Sequence, residues 1–364
     1  MVDTIQKLKY RANAGIAQAK DELNMRLTDR VELPLEGLHG EKLFLTGATA
    51  LREKAAELRA IYDQLPAQRG SRETILLDAW SSATIEGART TVEKVRRSFD
   101  DPKTKDDRMV VNTIAGSNYA YGRPITSRNI RRLWERIVDG VCENTDHMGT
   151  QYRSDMVYIG SVGRIIHVPA EPAQIPELMD KLFAYRASGE EDALIRSFVA
   201  HFYFVYVHPF CDVNGRAARI LNASQLYHDG FRKMKSLPLA SAINNERSGY
   251  YNSLSDSETV LNGIEIRWLD LSPFVSYMLD AFERCLVDAA LSKNSLSEAE
   301  TKILERMNKA GIHAEITTKK AAGILQRSES AARTVLNSLV HKGYLTVDTT
   351  GIPFIYRLEQ HIPL

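Results

Sequence analysis

A histidine, a carboxylate, an asparagine and two arginines fall within the twelve residues His208 to Arg219, reading H-P-F-C-D-V-N-G-R-A-A-R. A histidine moves protons near neutral pH. A lone carboxylate can hold a hard cation that a phosphate shares, and arginines grip phosphate. Base, metal and phosphate chemistry therefore converge on one short stretch. Its flanks say how these groups are presented. Residues 194–207, LIRSFVAHFYFVYV, are apolar nearly all round and suit a helix buried in a core. Pro209 ends that helix, because the residue before a proline is steered out of the α region. A second run, A-A-R-I-L-N-A-S-Q-L-Y, starts a new helix near Asn214. Residues 211–215 are then a turn entering a helix N-terminus, where free N–H groups and the positive dipole end receive anions. Arg216 and Arg219, three apart, share one face of that helix. Asp212 is placed to hold a cation, and His208 stands at the lip.

The rest of the chain bounds what this stretch can belong to. With 364 residues, two or three domains with a substantial core are expected. The composition, 44% hydrophobic and 26% charged, is that of an ordinary soluble protein. A net charge of +1 argues against global attraction to nucleic acid or an anionic membrane. Cys142, Cys211 and Cys285 lie far apart without metal-ligand spacing, which fits a reducing compartment. The N-terminus lacks the apolar core of a signal peptide, and no apolar run is long enough to span a membrane. A cytoplasmic location is expected. There is no Walker A pattern, kinase glycine loop or Cys–His zinc cluster, so the anion turn itself must carry any nucleotide phosphates.

Upstream, residues 1–45 are weakly patterned and read as one amphipathic helix and a loop. Helices are expected over 47–65 and 72–86, separated by a break at Pro66 to Ser71. The second carries Ile75, Leu76, Ala79, Trp80 and Ala83 on one face and ends in S-S-A-T-I-E-G. Ser82 and Glu86 are four apart and point the same way, and Gly87 is placed as a C-cap. Glu86 thus puts a negative charge at the negative end of a helix dipole, which requires a positive partner. Helical pattern continues from Thr90 to about Tyr121 with a break at Asp100 to Lys105, and Thr126 caps another helix. Asn144 to Gly149 reads as a loop. From 157 to 168 the period changes to two short β-type runs around Gly160 to Gly163, a hairpin. His167 and His201 read as structural. Glu177 to Tyr185 is helical, and residues 267–291 read as one more helix. After Leu296 a capping box, Ser297 with Glu300, opens a helix. Two more helices and a two-stranded hairpin follow.

The stretch from His208 to Arg219 resembles the signature of the Fic family, H-P-F-x-[D/E]-G-N-G-R-x-x-R. The departure is Val213, where that family has glycine. Cys211 falls on the variable position. The expected fold is mainly α: a Fic-type helical bundle with a small β-hairpin flap, followed by a winged helix-turn-helix domain. Its regions are a helical one at 1–105 carrying an inhibitory motif, a catalytic core at 106–292, and the winged-helix-like part at 296–364. The resemblance implies a protein adenylyltransferase that moves AMP from ATP to a Ser, Thr or Tyr hydroxyl of a target protein. It implies His208 as general base and Asp212 as the Mg²⁺ ligand. Val213, Asn214, Gly215, Arg216 and Arg219 bind the phosphates, Arg219 the γ-phosphate. Glycine at 215 favours nucleotide transfer over the lysine-bearing phosphorylating branch. The hairpin matches the family's flap, in which Val157, Tyr158, Ile159, Ile165, Ile166 and His167 would hold a target segment by strand addition.

Ser82, Glu86 and Gly87 resemble the family's inhibitory motif, and the resemblance names Arg219 as the partner of Glu86. Tyr250 and Tyr251 match an R-x-x-Y-Y-x-x-L stretch near the adenine, where stacking is worth roughly 1–3 kcal/mol; ordinary core tyrosines are the other reading. Valine at 213 resists the positive φ that glycine allows. Two alternatives stand beside the transferase: a nucleotide-sensing, DNA-binding transcriptional regulator, and a deAMPylase using Glu86. In the winged helix the third helix would offer Ser330, Arg333 and Asn337 to DNA. Residues 296–364, however, hold 9 Lys or Arg against 7 Asp or Glu, a net of +2, thin for a phosphate footprint. A protein-contact or homodimerisation role competes with DNA there, and autoAMPylation is compatible with the site.

Overall fold

The computed structural model describes residues 3–358 apart from 66–71, 143–149, 162, 263–266, 295–296, 311–313, 342–343 and 350. The break at Pro66 to Ser71 and the loop at Asn144 to Gly149 lie outside the described residues. The chain divides into two compact units, Met1–Leu286 and Val287–Leu364.

The first unit opens with α1 (Ile5–Asn13), α2 (Ala17–Thr28), β1 (Arg30–Glu36) and β2 (Lys42–Thr46). This corrects the reading of 1–45 as a single helix and a loop. The alternation of Leu33 and Leu35, both buried, is genuine strand pattern, but Pro34 sits inside it. Proline is tolerated on an edge strand, and β1 is the edge of a four-stranded sheet ordered β1-β2-β6-β5, with β5 at Leu261–Asn262 and β6 at Arg267–Asp270. Because β2 pairs in parallel with β6 (Leu43 with Leu269), local pattern does not reveal the sheet. It also corrects 267–291 to a strand followed by a helix. Arg26 seals this assembly. Its Nη2 donates to Thr46 Oγ1 (2.8 Å) and Asp270 Oδ2 (3.2 Å), and Thr46 N–H donates to Ser272 Oγ (2.6 Å).

Helices then build the bundle: α3 (Ala48–Gln64), α4 (Arg72–Ile85), α5 (Val92–Arg97), α6 (Lys105–Ala120) and α7 (Ser127–Val138). The expected Thr126 cap of α7 is present, accepting from Asn129 N–H at 3.2 Å. A hairpin, β3 (Ile159–Ser161) and β4 (Arg164–His167), leads to α8 (Ile175–Ser188). Two central helices follow, α9 (Ala193–Val207) and α10 (Asn214–His228), and Phe198, Phe202 and Tyr203 on α9 are fully buried. α11 (Leu239–Asn245), α12 (Arg247–Ser257) and α13 (Ser272–Asn294) complete the series. The apolar face of α4 packs as its spacing predicts, with Leu76, Ala79 and Ala83 buried against Val110 and Ile114 of α6.

The second unit holds α14 (Glu298–Ala310), β7 (Glu315–Thr317), α15 (Thr318–Leu325), α16 (Glu329–His341), β8 (Leu345–Asp348) and β9 (Ile355–Leu358). Its strands form a three-stranded sheet ordered β7-β9-β8, one strand more than the hairpin expected. The Ser297–Glu300 capping box forms in both directions (2.6 and 3.2 Å). On α16, Asn337 accepts from the Tyr356 hydroxyl at 3.1 Å. The residue stays exposed.

Candidate active site

The site lies where α9 stops and α10 starts. His208 ends α9 in the left-handed region (φ 53°), with its N–H still donating to Phe204 O at 3.0 Å. Its Nδ1 lies 3.1 Å from the Val205 carbonyl. A carbonyl can only accept, so Nδ1 carries the proton and Nε2 is free to take one. Burial, partly opposed by that bond, pushes His208 down to about 4, leaving it neutral across the physiological range.

Between the helices, Asn214 acts as a latch. Phe210 N–H donates to its Oδ1 (3.0 Å), and its Nδ2 donates back to Phe210 O (2.7 Å). The side chain thus braces the turn, with one Nδ2 hydrogen and the oxygen used there. Val213 stands at φ 63° and is 3% exposed. The valine thus takes a left-handed backbone that glycine adopts freely, at a strain of about 1–3 kcal/mol. Asp212 is exposed, and its Oδ1 accepts the Val213 N–H at 2.6 Å. Trp134 Nε1 donates to Asp212 O (3.2 Å), and its ring stacks on Phe210 at 5.3 Å.

Arg216 and Arg219 are both buried. Arg216 donates only to Ile137 O, at 3.4 Å, and its Nε has no partner among the described residues. Arg219 is better held. Its Nε donates to Ser82 Oγ (2.9 Å), and its Nη2 donates to Ser82 O (2.9 Å) and Glu86 Oε1 (2.7 Å). Its Nη1 is buried without a partner among the described residues. Burial works against the Glu86 charge, but Arg219, with Arg216 and His208 behind it, outweighs burial and holds the carboxyl below its ordinary range. A Cβ on Gly215 would collide with Glu86 Oε1. The carboxylate therefore sits against the first turn of α10. Gly87 closes α4 at φ 91°, with the paired bonds Ala88 N–H to Ala83 O and Gly87 N–H to Thr84 O.

Residues 124–226 match the Fic/DOC family. Two relatives are named protein adenylyltransferase Fic. That of Drosophila virilis is 25% identical over 299 residues, covering 78% of this chain and 57% of its own. That of Drosophila willistoni is 27% identical over 252 residues, covering 65% and 46%. The chain spans about half the length of the curated relatives it matches. Among solved structures, a Fic family protein from Desulfovibrio desulfuricans shares the fold at TM-score 0.56 and 20% identity, covering 87% of this chain and 97% of that one. Fic-1 from C. elegans does so at 0.52 and 19%, covering 68% and 74%.

Around the junction of α9 and α10 the structure gathers His208, Asp212, Gly215, both arginines, Ser82 and Glu86. It separates the two tyrosines. Tyr250 is 2% exposed, with its hydroxyl 3.0 Å from His201 Nε2 and facing Arg219. A buried ring has no face for a base, so Tyr250 is corrected to a support of Arg219. Tyr251, 43% exposed, keeps an open ring. In the hairpin, Val157 and Tyr158 precede β3 rather than lie in it. Tyr158, Ile165 and Ile166 are exposed, whereas His167 is buried and spans Tyr206 O (2.8 Å) and Glu258 Oε2 (2.9 Å). His167 is therefore corrected from a target contact to an anchor of the flap. Cys211 meets Cys142; burial, with that neighbour, pushes it up to about 11, so it stays a protonated thiol and no nucleophile.

One organiser was invisible in the sequence. Arg153, 3% exposed, donates its backbone N–H to Pro209 O (3.0 Å) and its Nε to His208 O (2.8 Å). Its other nitrogens reach Asp155 O (2.7 Å) and Ala170 O, on either side of the hairpin. It ties flap and base together, and only its place shortly before a hairpin hinted at this.

Proposed function

We propose that this chain is a protein adenylyltransferase that moves AMP from ATP to a hydroxyl of a target protein. The observation that carries the reading is a pair of buried arginines at a helix N-terminus, each with a donor unmatched among the described residues, Arg216 Nε and Arg219 Nη1. Buried donors are normally matched; these are matched by phosphate oxygens. The target hydroxyl oxygen attacks the α-phosphorus, its proton passes to His208 Nε2, and the bond to the β-phosphate breaks to release pyrophosphate. The open edges of the hairpin support strand addition by the target, bringing its hydroxyl opposite His208. The Asp212 oxygen not used by Val213 would hold Mg²⁺, which would neutralise phosphate charge when bound. Among the described residues no cluster of three or more His, Cys, Asp or Glu could hold a metal.

Glu86 is the inhibitor in this reading. While its carboxylate occupies the α10 N-terminus and Arg219, the γ-phosphate is kept out. One further observation favours a second activity: Glu86 keeps 31% of its side chain exposed, so it could direct water at an AMP-modified target and remove the group. For the second unit, the order helix, strand, helix, helix, strand, strand supports a winged helix used for protein contact. Three cysteines far apart in the chain, without metal-ligand spacing, support a reducing, cytoplasmic setting.

The test is incubation with α-labelled ATP. Glu86→Gly should raise labelling of the chain itself by tenfold or more, and adding His208→Ala should abolish it. No label in either the wild type or Glu86→Gly would sink the reading. Because His208 is pushed down to about 4, the base is neutral above that pH. Transfer by Glu86→Gly should therefore hold down to about pH 5 and fall below it.

A further inference from the structure

The end of α4 is held from outside. Carbonyls in the last turn of a helix lack intrahelical N–H partners, and in α4 the run from Ser82 to Ile85 is met one by one. Ser82 O accepts from Arg219 Nη2 at 2.9 Å. Ala83 O accepts from Ala88 N–H (3.1 Å) and Thr84 O from Gly87 N–H (3.0 Å). The remaining donors come from α12. Arg247 Nη1 donates to Thr84 O at 3.2 Å, and the Tyr251 hydroxyl donates to Ile85 O at 2.9 Å. These two residues are four apart on one helix, the guanidinium 5.7 Å from the tyrosine ring. Two turns back along α4, Asp78 accepts the Ala240 and Ser241 N–H groups at 2.7 and 3.4 Å. The α11–α12 segment therefore grips α4 at two heights, on either side of Ser82.

We infer that Arg247 and Tyr251 are positioning residues of the inhibitory contact, holding the end of α4 where the Glu86 carboxylate reaches Arg219 and the first turn of α10. The inference rests on the reading of Glu86 as inhibitor. Two features of the geometry support it. Glu86 directly follows Ile85, so a donor on the Ile85 carbonyl fixes the peptide that launches the glutamate. Both α12 donors, one cationic, sit at the negative end of the α4 dipole, where positive groups stabilise.

The experiment is self-labelling of the full chain with α-labelled ATP. Tyr251→Phe keeps the ring and removes the hydroxyl, and should raise labelling about three- to tenfold over wild type, the range for losing one net hydrogen bond. Arg247→Met should raise it by about twofold, since its bond is longer and exposed. In the Glu86→Gly background neither substitution should raise labelling further, because no inhibitory glutamate remains to be held. A Tyr251→Phe protein no more active than wild type, beside a derepressed Glu86→Gly protein, would overturn the inference alone. So would a further gain, or a raised KM for ATP, when Tyr251→Phe is added to Glu86→Gly, since either places the hydroxyl on the nucleotide. If Glu86→Gly itself is not derepressed, the inhibitory reading fails and takes this inference with it. Unfolding cannot mimic the expected result, which is a gain.

Discussion

Arg26–Asp270 and Arg219–Glu86 both join segments distant in the chain, at 3.2 and 2.7 Å. In the first pair both side chains are sealed, 5% and 4% exposed. Thr46 Oγ1 and Ser272 N–H also donate to the Asp270 carboxylate (3.0 and 3.1 Å), yet burial still lifts Asp270 above its ordinary range. In the second pair the arginine is sealed at 3%, but the glutamate keeps 31% of its side chain open. There the cation wins over burial and the carboxyl is held low. A sealed carboxylate has nowhere to go without unfolding its surroundings. An open one can swing into water and yield its arginine to another anion. The same residue types thus make a rivet in one place and, in the function proposed above, a gate in the other.

The comparison breaks most readily at Asp270. Asp270→Ala leaves Arg26 buried without its counter-charge and should cost about 3–5 kcal/mol in urea unfolding. A loss below about 1 kcal/mol would mean that this pair is no more a rivet than the other. Glu86→Gln should cost less, about 1–2 kcal/mol, because the amide can still accept from Arg219. Nucleotide should restore it: at a hundredfold excess over Kd, ATP adds about 2.7 kcal/mol to whatever binds it. The thermal shift with ATP should therefore be larger for Glu86→Gln than for wild type, and equal shifts would count against competition for Arg219.

Acid sharpens the contrast through sign. Glu86 has a folded pKa below its ordinary value, so its contribution is present above the unfolded value and is lost as pH falls through the folded one. Asp270 is raised, so its contribution weakens as pH climbs from the unfolded value through the folded one. Urea midpoints between about pH 3 and 6 should show Glu86→Gln flattening an acid-side loss and Asp270→Asn flattening an acid-side gain. The smallest effect belongs to Ser82→Ala. It removes one acceptor of Arg219, costs about 0.5–1.5 kcal/mol, and should raise self-labelling less than Glu86→Gly does.

Much of the site could be read from the chain because its chemistry is local. His208, Asp212, Asn214 and the arginines sit on one helix–turn–helix junction, and the hairpin is likewise contiguous. The pairing of Glu86 with Arg219, 133 residues on, came from resemblance, since a helix-end glutamate announces only that it needs a cation. Arg247 and Tyr251 were out of reach for the same reason: their partners are backbone carbonyls, which carry no residue type to recognise. The four-stranded sheet was hidden by Pro34 and by a strand pairing across 226 residues, Leu43 with Leu269. Tyr250 and Tyr251 show the finer limit, because adjacent identical residues on one helix diverge into core and surface.

Val213 has a consequence for the timing of recognition. Glycine at this place would leave the turn free to sample many shapes in the unfolded chain and in loosened native states. A buried valine confined to the left-handed region samples far fewer, so the bend between α9 and α10 is set when the protein folds. A phosphate arriving there meets a finished mould, and little ordering of the loop remains to oppose its capture. Selectivity for what enters should then be rigid as well: a nucleotide that fits poorly finds a turn that does not adapt to it.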